Sequence, residues 1–297
     1  MMLLAMPSSR ALQSIISLAA RTFSTYPHRH RPYQMPSAII QPTAAHTATV
    51  IFAHGLGDEG ASWRAAISGD YDYRKPGELT IPARLPHVKW IFPDAPEQAV
   101  TANFGTEMPS WFDMSNLPLP PELYLSKVVD DDESVKNGVQ IIDDLVQAEV
   151  KAGIPESRIV VGGFSQGGAL ALAAGLGGKD WRTKSSGDDN KLAGVVVLSG
   201  WMPVREKFKS RISPHAKSMP VLWGHGTADA VIYHKVGEIS VELLQDQPGI
   251  VKHGAHDQLG APGINFRSYE RMGHASCKKE MDDLVTFLGS VVPQQQT

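Results

Sequence analysis

The sequence has little cysteine, no long apolar run and no excess of basic residues. A single cysteine, Cys277, among 297 residues excludes an internal disulfide framework. No stretch reaches the roughly 18 consecutive apolar residues that a membrane-spanning helix needs, because even residues 192–204 are interrupted by Gly194 and Gly200. With 28 basic and 31 acidic side chains, the formal charge of −3 offers no broad positive surface to a phosphate backbone. We therefore predict a globular protein without stable membrane insertion and without a nucleic-acid partner.

Acidic residues are also missing from the start of the chain, where the first one is Asp58. The ionised side chains ahead of it are four arginines: Arg10, Arg21, Arg29 and Arg31. An acid-free segment that contains Arg and Ser is typical of a mitochondrial transit peptide, and an untargeted tail can have the same composition. Met35 offers a second translation start. We predict a disordered N-terminal extension over residues 1–36 and one folded domain over residues 37–297.

From Thr49 onward, short apolar runs alternate with stretches of helical periodicity. The predicted strands are residues 49–53, 88–92, 158–162, 193–198, 220–224 and 265–269. The predicted helices are residues 130–150, 166–176, 235–245 and 277–291, and the predicted polar surface loops are residues 178–190 and 249–263. Nearly continuous apolar strands are typical of a parallel sheet buried on both faces. The pattern predicts an α/β fold with a mostly parallel central sheet and helices on both faces, in a single domain.

A serine lies between a predicted strand and a predicted helix. Residues 163–167 read Gly-Phe-Ser-Gln-Gly and match G-x-S-x-G, with Ser165 at the turn. Small residues at Gly163 and Gly167 allow the tight bend that exposes a nucleophilic hydroxyl, and the following helix offers N–H groups to an oxyanion. The same motif fits an ordinary Gly-rich turn. Ser165 is therefore a candidate nucleophile that needs partners.

The later part of the chain supplies both partners. A serine nucleophile requires a general base and a carboxylate that orients this base. Asp229 follows the predicted strand 220–224, and His274 lies between the last predicted strand and the last predicted helix. The order Ser165, Asp229, His274 is the order that α/β-hydrolases use. The sequence therefore predicts a catalytic triad.

The loop after the first predicted strand has two interpretations. In a hydrolase it supplies the second oxyanion donor, so the backbone N–H groups of Leu56 and Gln166 are the candidate donors. Residues 55–60 also match G-x-G-x-x-G, and Glu78 lies eighteen residues beyond Gly60, which resembles a dinucleotide-binding fingerprint. No second strand is evident just before Glu78, and this alternative leaves the three triad candidates unexplained. A dinucleotide-binding oxidoreductase remains the alternative of a different class.

Six longer stretches carry further motifs: residues 52–58 (FAHGLGD), 108–113 (MPSWFD), 162–170 (GGFSQGGAL), 198–203 (LSGWMP), 225–229 (HGTAD) and 274–277 (HASC). Together they resemble the acyl-protein thioesterase and lysophospholipase-like carboxylesterase family of α/β-hydrolases. The resemblance spans nearly all of residues 37–292. It implies the α/β-hydrolase fold, the triad of Ser165, Asp229 and His274, and Leu56 and Gln166 as oxyanion donors.

The resemblance also implies a function. It implies a serine hydrolase that cleaves fatty-acyl thioesters through an acyl-enzyme on Ser165, with S-palmitoylated proteins such as G-protein α subunits as substrates and weak lysophospholipase activity besides. It further implies a cytoplasmic location, and a nuclear one, for a form that starts near Met35, whereas mitochondrial import of the full-length chain is a separate hypothesis. A long acyl chain needs a dry groove. The candidate wall residues are Trp111, Phe112, Trp201 and Met202.

Other activities use the same residues. A broad-specificity carboxylesterase would attack small oxygen esters by the same chemistry, whereas a binding protein that had lost catalysis would have a broken triad. The histidines and Cys277 show no metal-ligand spacing, and Cys277 has no glycine-rich turn around it, so we predict no metal, no cofactor and no thiol nucleophile. The sequence leaves the oligomeric state open.

Overall fold

The computed structural model describes residues 37–69, 77–127, 129–178, 180–182, 191–254 and 257–295. Residues 1–36 lie outside these ranges, so the disordered extension and the transit peptide stay predictions. The strands of the described chain are β1 (Ser37–Ile40), β2 (Ala48–Ala53), β3 (Val88–Pro93), β4 (Glu97–Val100), β5 (Thr106–Pro109), β6 (Ile159–Phe164), β7 (Gly194–Leu198), β8 (Pro220–Gly226), β9 (Lys252–His253) and β10 (Gly263–Tyr269). The α-helices are α1 (Gly60–Ser68), α2 (Ile81–Arg84), α3 (Pro121–Ser126), α4 (Asp132–Lys151), α5 (Gln166–Leu176), α6 (Arg205–Phe208), α7 (His234–Gln245) and α8 (Lys278–Val291).

The strands form one large sheet and one hairpin. The large sheet has eight strands in the order β1-β3-β2-β6-β7-β8-β10-β9, and β4 pairs with β5 separately. Only β1 is antiparallel to its neighbour in the large sheet. The register pairs Ala53 with Gly163 and Phe164 with Leu198, so the carboxyl ends of β2, β6 and β7 lie side by side. Loops that leave these ends meet at one edge of the sheet, where open α/β sheets bind ligands.

Helices cover both faces of the sheet because successive strand residues point to opposite sides. Ile51 and Val161 pack in the apolar cluster with α4, α5 and α7, whereas Val50 and Val160 pack in the cluster with α1 and α8. All of α5 is buried, which suits a helix that is apolar on every side. The predicted α/β-hydrolase fold class is confirmed.

The periodic elements were predictable and the short ones were not. All six predicted strands and all four predicted helices form, with ends shifted by at most two residues. The sequence pattern missed β1, the β4–β5 hairpin and the helices α1, α2, α3 and α6, because each is too short to show a clear period. The predicted loop 249–263 contains β9, which pairs with β10.

The predicted surface loop 178–190 is wrong where the structure describes it. Trp181 is fully buried and packs edge-on against Phe208, with 4.9 Å between ring centroids. Arg182 is also buried, and its guanidinium forms ion pairs with Asp143 at 3.1 Å and Glu156 at 3.3 Å. A buried arginine needs such partners because desolvation of its charge is otherwise too costly.

Candidate active site

Ser165 lies at the turn between β6 and α5 with a positive φ of 55°. A non-glycine residue in this region is strained, and its surroundings must hold it there. Here the neighbouring backbone segments hold the turn because they pack closely against it. A Cβ on Gly163 would lie 2.3 Å from the Gly167 carbonyl oxygen, and a Cβ on Gly167 would lie 2.3 Å from the Ala53 carbonyl oxygen. Glycine therefore allows β2, β6 and the start of α5 to meet. The turn presents the Ser165 hydroxyl at the carboxyl edge of the sheet.

Ser165, His274 and Asp229 form a continuous hydrogen-bonded chain. His274 Nε2 lies 2.9 Å from Ser165 Oγ, and His274 Nδ1 lies 2.7 Å from Asp229 Oδ2. Because an ionised carboxylate only accepts, Nδ1 carries the ring proton and Nε2 is free to accept the serine proton. The sheet brings the three together, since Ser165 follows β6, Asp229 follows β8 and His274 follows β10.

Asp229 is buried and is held by its own loop. The backbone N–H groups of Val231 and Ile232 donate to Oδ1 at 2.9 and 3.0 Å, which leaves Oδ2 for His274. Burial by itself raises the pKa of Asp229, but hydrogen bonds from His225, from His274 and from the Val231 N–H outweigh it. The pKa of Asp229 therefore lies well below its ordinary value. The carboxylate stays ionised and can balance an imidazolium.

The loop that carries Leu56 is tied to the end of β5 and to the segment that follows it. Trp111 Nε1 donates to the His54 carbonyl oxygen at 2.8 Å. The Gly57 N–H donates to the Pro109 carbonyl oxygen at 2.8 Å. These bonds hold the backbone of the loop on both sides of Leu56, and a preorganised backbone is what an oxyanion donor requires.

His54 is a structural residue of the same loop. The ring is fully buried, and the Ala95 N–H donates to its Nε2 at 3.0 Å, so the ring proton lies on Nδ1 and is donated to the Gly55 carbonyl at 2.7 Å. Burial also lowers the pKa of His54. Both ring nitrogens are therefore occupied, and His54 positions the loop instead of acting as a base.

Gln166 contributes a side-chain role that sequence reasoning missed. Gln166 begins α5 directly after Ser165, which places its backbone N–H at the start of the helix. Its buried side chain accepts from the Trp111 N–H at 2.9 Å and donates to the Phe112 carbonyl at 2.7 Å and to Ser110 Oγ at 3.0 Å. The available signal was a lone amide at the first position of an otherwise apolar helix, since buried amides need partners.

The candidate walls of an acyl groove are core residues. Trp111, Phe112, Trp201 and Met202 are at most 1% exposed, and the rings of Phe112 and Trp201 lie 6.0 Å apart. The indole N–H of Trp201 donates to the carboxylate of Asp130 at 3.2 Å. The structure therefore corrects this prediction: these side chains fill the space between the sheet and its helices and do not line an open groove.

An open cavity of about 230 Å³ lies beside His274. Its lining residues are Asp58, Ser62, Trp63, Ala66, Phe164, His274, Ala275 and Ser276. The Phe164 ring contacts the rings of Trp63 and His274, with centroid distances of 5.3 and 4.7 Å. In a serine hydrolase the leaving group departs on the histidine side, because this residue returns the proton to it. A larger cavity, of about 420 Å³, lies at the amino-terminal edge of the sheet, and none of the triad residues lines it.

The position of Glu78 does not fit the dinucleotide-binding alternative. A ribose-binding acid lies at the end of a strand, whereas Glu78 lies just before helix α2. Its carboxylate forms an ion pair with Lys278 at 2.7 Å. A ribose-binding acid is therefore not in place.

Over the described ranges, no three His, Cys, Asp or Glu side chains cluster so as to hold a metal ion. No α-helix of the described chain is long and apolar enough to cross a membrane.

Comparison with known proteins finds matches along most of the chain. The family model described as phospholipase/carboxylesterase matches residues 35–292. Acyl-protein thioesterase 1 of Cryptococcus neoformans is 41% identical over 258 residues, which cover 86% of this chain and 98% of that protein. Acyl-protein thioesterase 1 of Yarrowia lipolytica is 36% identical over 257 residues, with coverages of 86% and 96%. The crystal structure of acyl-protein thioesterase 2 from Zea mays superposes with a TM-score of 0.65 at 29% identity, over 86% of this chain and 98% of that one.

Proposed function

The chain belongs to the phospholipase/carboxylesterase family, and on that premise we propose that it is a serine hydrolase that removes fatty-acyl groups from S-acylated proteins. Relatives named acyl-protein thioesterase, similar over nearly their whole length, support a thioester substrate. S-palmitoylated proteins such as G-protein α subunits are the proposed substrates, with weak lysophospholipase activity besides. The observation that carries the proposal is the hydrogen-bonded chain of Ser165, His274 and Asp229, in which Ser165 lies on a strained turn.

Acylation begins with attack of Ser165 Oγ on the thioester carbonyl carbon. His274 Nε2 takes the hydroxyl proton, and Asp229 stabilises the imidazolium that forms. We assign the developing oxyanion to the backbone N–H groups of Leu56 and Gln166, each worth about 3 kcal/mol of transition-state stabilisation. The C–S bond then breaks, the imidazolium protonates the departing cysteine thiolate, and the acyl group remains on Ser165 as an ester. The cavity beside His274 lies where the cysteine leaves.

Deacylation uses the same groups in the same order. His274 takes a proton from water as the water oxygen attacks the acyl carbon of the Ser165 ester. The oxyanion is again held by the two backbone N–H groups. The ester C–O bond breaks, His274 returns the proton to Ser165 Oγ, and the fatty acid leaves.

A broad-specificity carboxylesterase is the second candidate function. One observation favours it: the large side chains expected to line an acyl groove are buried in the core. A site without a preformed long groove suits small acyl groups.

The proposal is tested by pre-steady-state release from a chromogenic long-chain thioester and its oxygen-ester analogue. We expect a burst in the wild type that is larger for the thioester. Ser165→Ala should abolish the burst and lower turnover by at least about 10³-fold. Equal turnover of the two esters would favour the carboxylesterase. Activity that survives in Ser165→Ala would overturn the assignment of the nucleophile.

We also propose two translation products, the full-length chain and a form that starts near Met35, with different locations. The form that starts near Met35 is cytoplasmic and also nuclear, and residues 1–34 direct the full-length chain to mitochondria. The acid-free, Arg-containing composition of the segment supports import. Fluorescent fusions at the C terminus of the full-length chain and of the chain from Met35 test this. An identical distribution of both fusions would refute a targeting role for the segment.

A further inference from the structure

A second histidine, His225, lies against the carboxylate of Asp229. His225 is the second-to-last residue of β8 and is fully buried. Its Nε2 lies 2.9 Å from the carbonyl oxygen of Ile232 and 3.5 Å from Asp229 Oδ2. The same Oδ2 accepts from His274 Nδ1 at 2.7 Å. The Asp229 carboxylate is therefore placed between two imidazole rings, and the mechanism uses only one of them.

The contacts of His225 determine which ring nitrogen carries the proton. The neighbours of Nε2 are a carbonyl and a carboxylate oxygen, which only accept, so Nε2 is the donor. Nδ1 has no hydrogen-bond partner in the described part of the chain, and it faces the backbone of Gly237, where a Cβ would lie 2.6 Å away. A proton on Nδ1 would therefore be buried without an acceptor. His225 presents one N–H, shared between the Ile232 carbonyl and Asp229.

The His225 N–H holds the loop that carries the Asp229 carboxylate. The Val231 and Ile232 N–H groups donate to Asp229 Oδ1, and the Ile232 carbonyl accepts from His225. Residues 229–232 are thus fixed to the end of β8 through one buried ring. The arrangement restricts the rotation of the Asp229 side chain and partly balances the charge on Oδ2.

We propose that His225 is a positioning residue that holds Asp229 and sets the basicity that Asp229 confers on His274. The inference rests on the proposed serine-hydrolase function. Without the His225 N–H, the charge on Oδ2 is less shielded and stabilises the imidazolium of His274 more strongly. A more stable imidazolium persists to higher pH. Because neutral His274 is the form that accepts the serine proton, the acid limb of the profile of kcat/KM against pH then moves to higher pH.

The other ionisable groups described here near His225 and Asp229 lie on α7, α8 and β10. On α7, the His234 ring packs edge-on against His225 with 5.6 Å between centroids, and Glu238 lies 4.0 Å from His234. Lys235 on the same helix pairs with Glu238 at 3.1 Å. From α8, the buried carboxyl of Glu280 lies against Gly224, the residue before His225. From β10, the Tyr269 ring also lies against Gly224. All of these groups are unchanged in the variants below.

His225→Phe replaces the imidazole by an apolar aromatic ring and removes the Nε2–H donor. We expect kcat/KM for the thioester to fall between about tenfold and a hundredfold, and the acid limb to move up by at least about 0.5 pH units. His225→Gln can place an N–H near the position of Nε2 and should recover most of the activity with an unshifted limb. An unshifted limb in an active His225→Phe would overturn the proposal.

His87→Phe is the matched control. His87 is also buried, its Nε2 lies 2.8 Å from the Val292 carbonyl oxygen, and its Nδ1 has no hydrogen-bond partner among the described residues. It lies far from the triad in the fold, next to the end of α8. We expect this variant to lose stability without any shift of the pH profile. A shift of the same size in both variants would contradict a specific role for His225.

One further measurement keeps the test decisive. If His225→Phe does not fold, ¹⁵N spectra of histidine-labelled wild type must show the neutral His225 ring with its proton on Nε2, and a neutral ring with its proton on Nδ1 would refute the proposal. Failure of the proposed function is separate, because it is seen in the wild type and in Ser165→Ala before any His225 variant is made.

Discussion

Gln166 uses its backbone and its side chain for different purposes. The backbone N–H at the start of α5 is the assigned oxyanion donor, whereas the side chain bonds Ser110, Trp111 and Phe112. The Leu56 loop is held by Trp111 and by the neighbouring Pro109. One glutamine therefore links the two proposed halves of the oxyanion hole, and a substitution can separate the two purposes because the backbone N–H survives it.

Gln166→Ala should lower both stability and activity. The Trp111 N–H would lose its acceptor in the core, which costs about 1–3 kcal/mol of unfolding free energy. The segment that holds the Leu56 loop would also gain freedom, so kcat should fall by about tenfold or more, with little change in KM. Urea unfolding and steady-state kinetics measure the two effects. Unchanged kcat in a destabilised variant would show that the side chain serves the fold alone.

At the scale of elements, the turn from β6 to α5 depends on how closely backbones approach. A Cβ at Gly163 would lie 2.3 and 2.7 Å from the carbonyl oxygens of Gly167 and Ala53, and neither backbone can move without displacing β2 or α5. Gly289 in α8 offers the opposite case, because a Cβ there would meet nothing within 4 Å. The two glycines thus separate a steric requirement from ordinary helix propensity.

Gly163→Ala should destabilise the protein by at least about 3 kcal/mol and abolish turnover, because the displaced atoms belong to the strained turn. Gly289→Ala should raise the unfolding free energy by about 0.5–1 kcal/mol, because alanine costs less backbone entropy in a helix. Thermal and urea unfolding of both variants measure this difference. A tolerated Gly163→Ala with normal activity would contradict the close packing of the turn.

At the scale of the whole molecule, a buried carboxyl connects distant segments. Asp130, just before α4, accepts hydrogen bonds from Trp201 Nε1 at 3.2 Å and from the Val204 N–H at 3.0 Å. Burial raises the pKa of Asp130 to about 6, although these two hydrogen bonds oppose the shift. The folded state therefore binds this proton more tightly than the unfolded chain does.

The unfolding free energy should consequently fall as pH rises through the pKa of Asp130. Stabilisation by the protonated form is complete below about pH 4, the unfolded value, and is lost above about pH 6, a change of about 3 kcal/mol. Asp130→Asn cannot titrate, so its unfolding free energy should decline less than that of the wild type between pH 4 and pH 7.5. Urea unfolding at several pH values measures both slopes. Equal slopes would show that Asp130 does not titrate in this range.

The order of elements and the position of the triad were open to sequence reasoning because both depend on local requirements. A strand buried on both faces needs a continuous apolar run, and the turn at Ser165 needs glycines beside it. Asp229 and His274 could be named because each follows a recognisable strand, and the carboxyl ends of parallel strands meet at one edge. These signals lie within a few residues of one another along the chain.

The sequence by itself therefore determined the fold class, the chain order of the elements and the candidate triad. Only the tertiary structure decided that Trp111 and Trp201 are core residues, that the Gln166 side chain bonds the segment after β5, and that His225 lies behind Asp229. The physical reason is that burial and hydrogen-bond partners depend on neighbours from other elements. Gln166 and its partner Trp111 are 55 positions apart, and no local period records which side chain will be near at that separation.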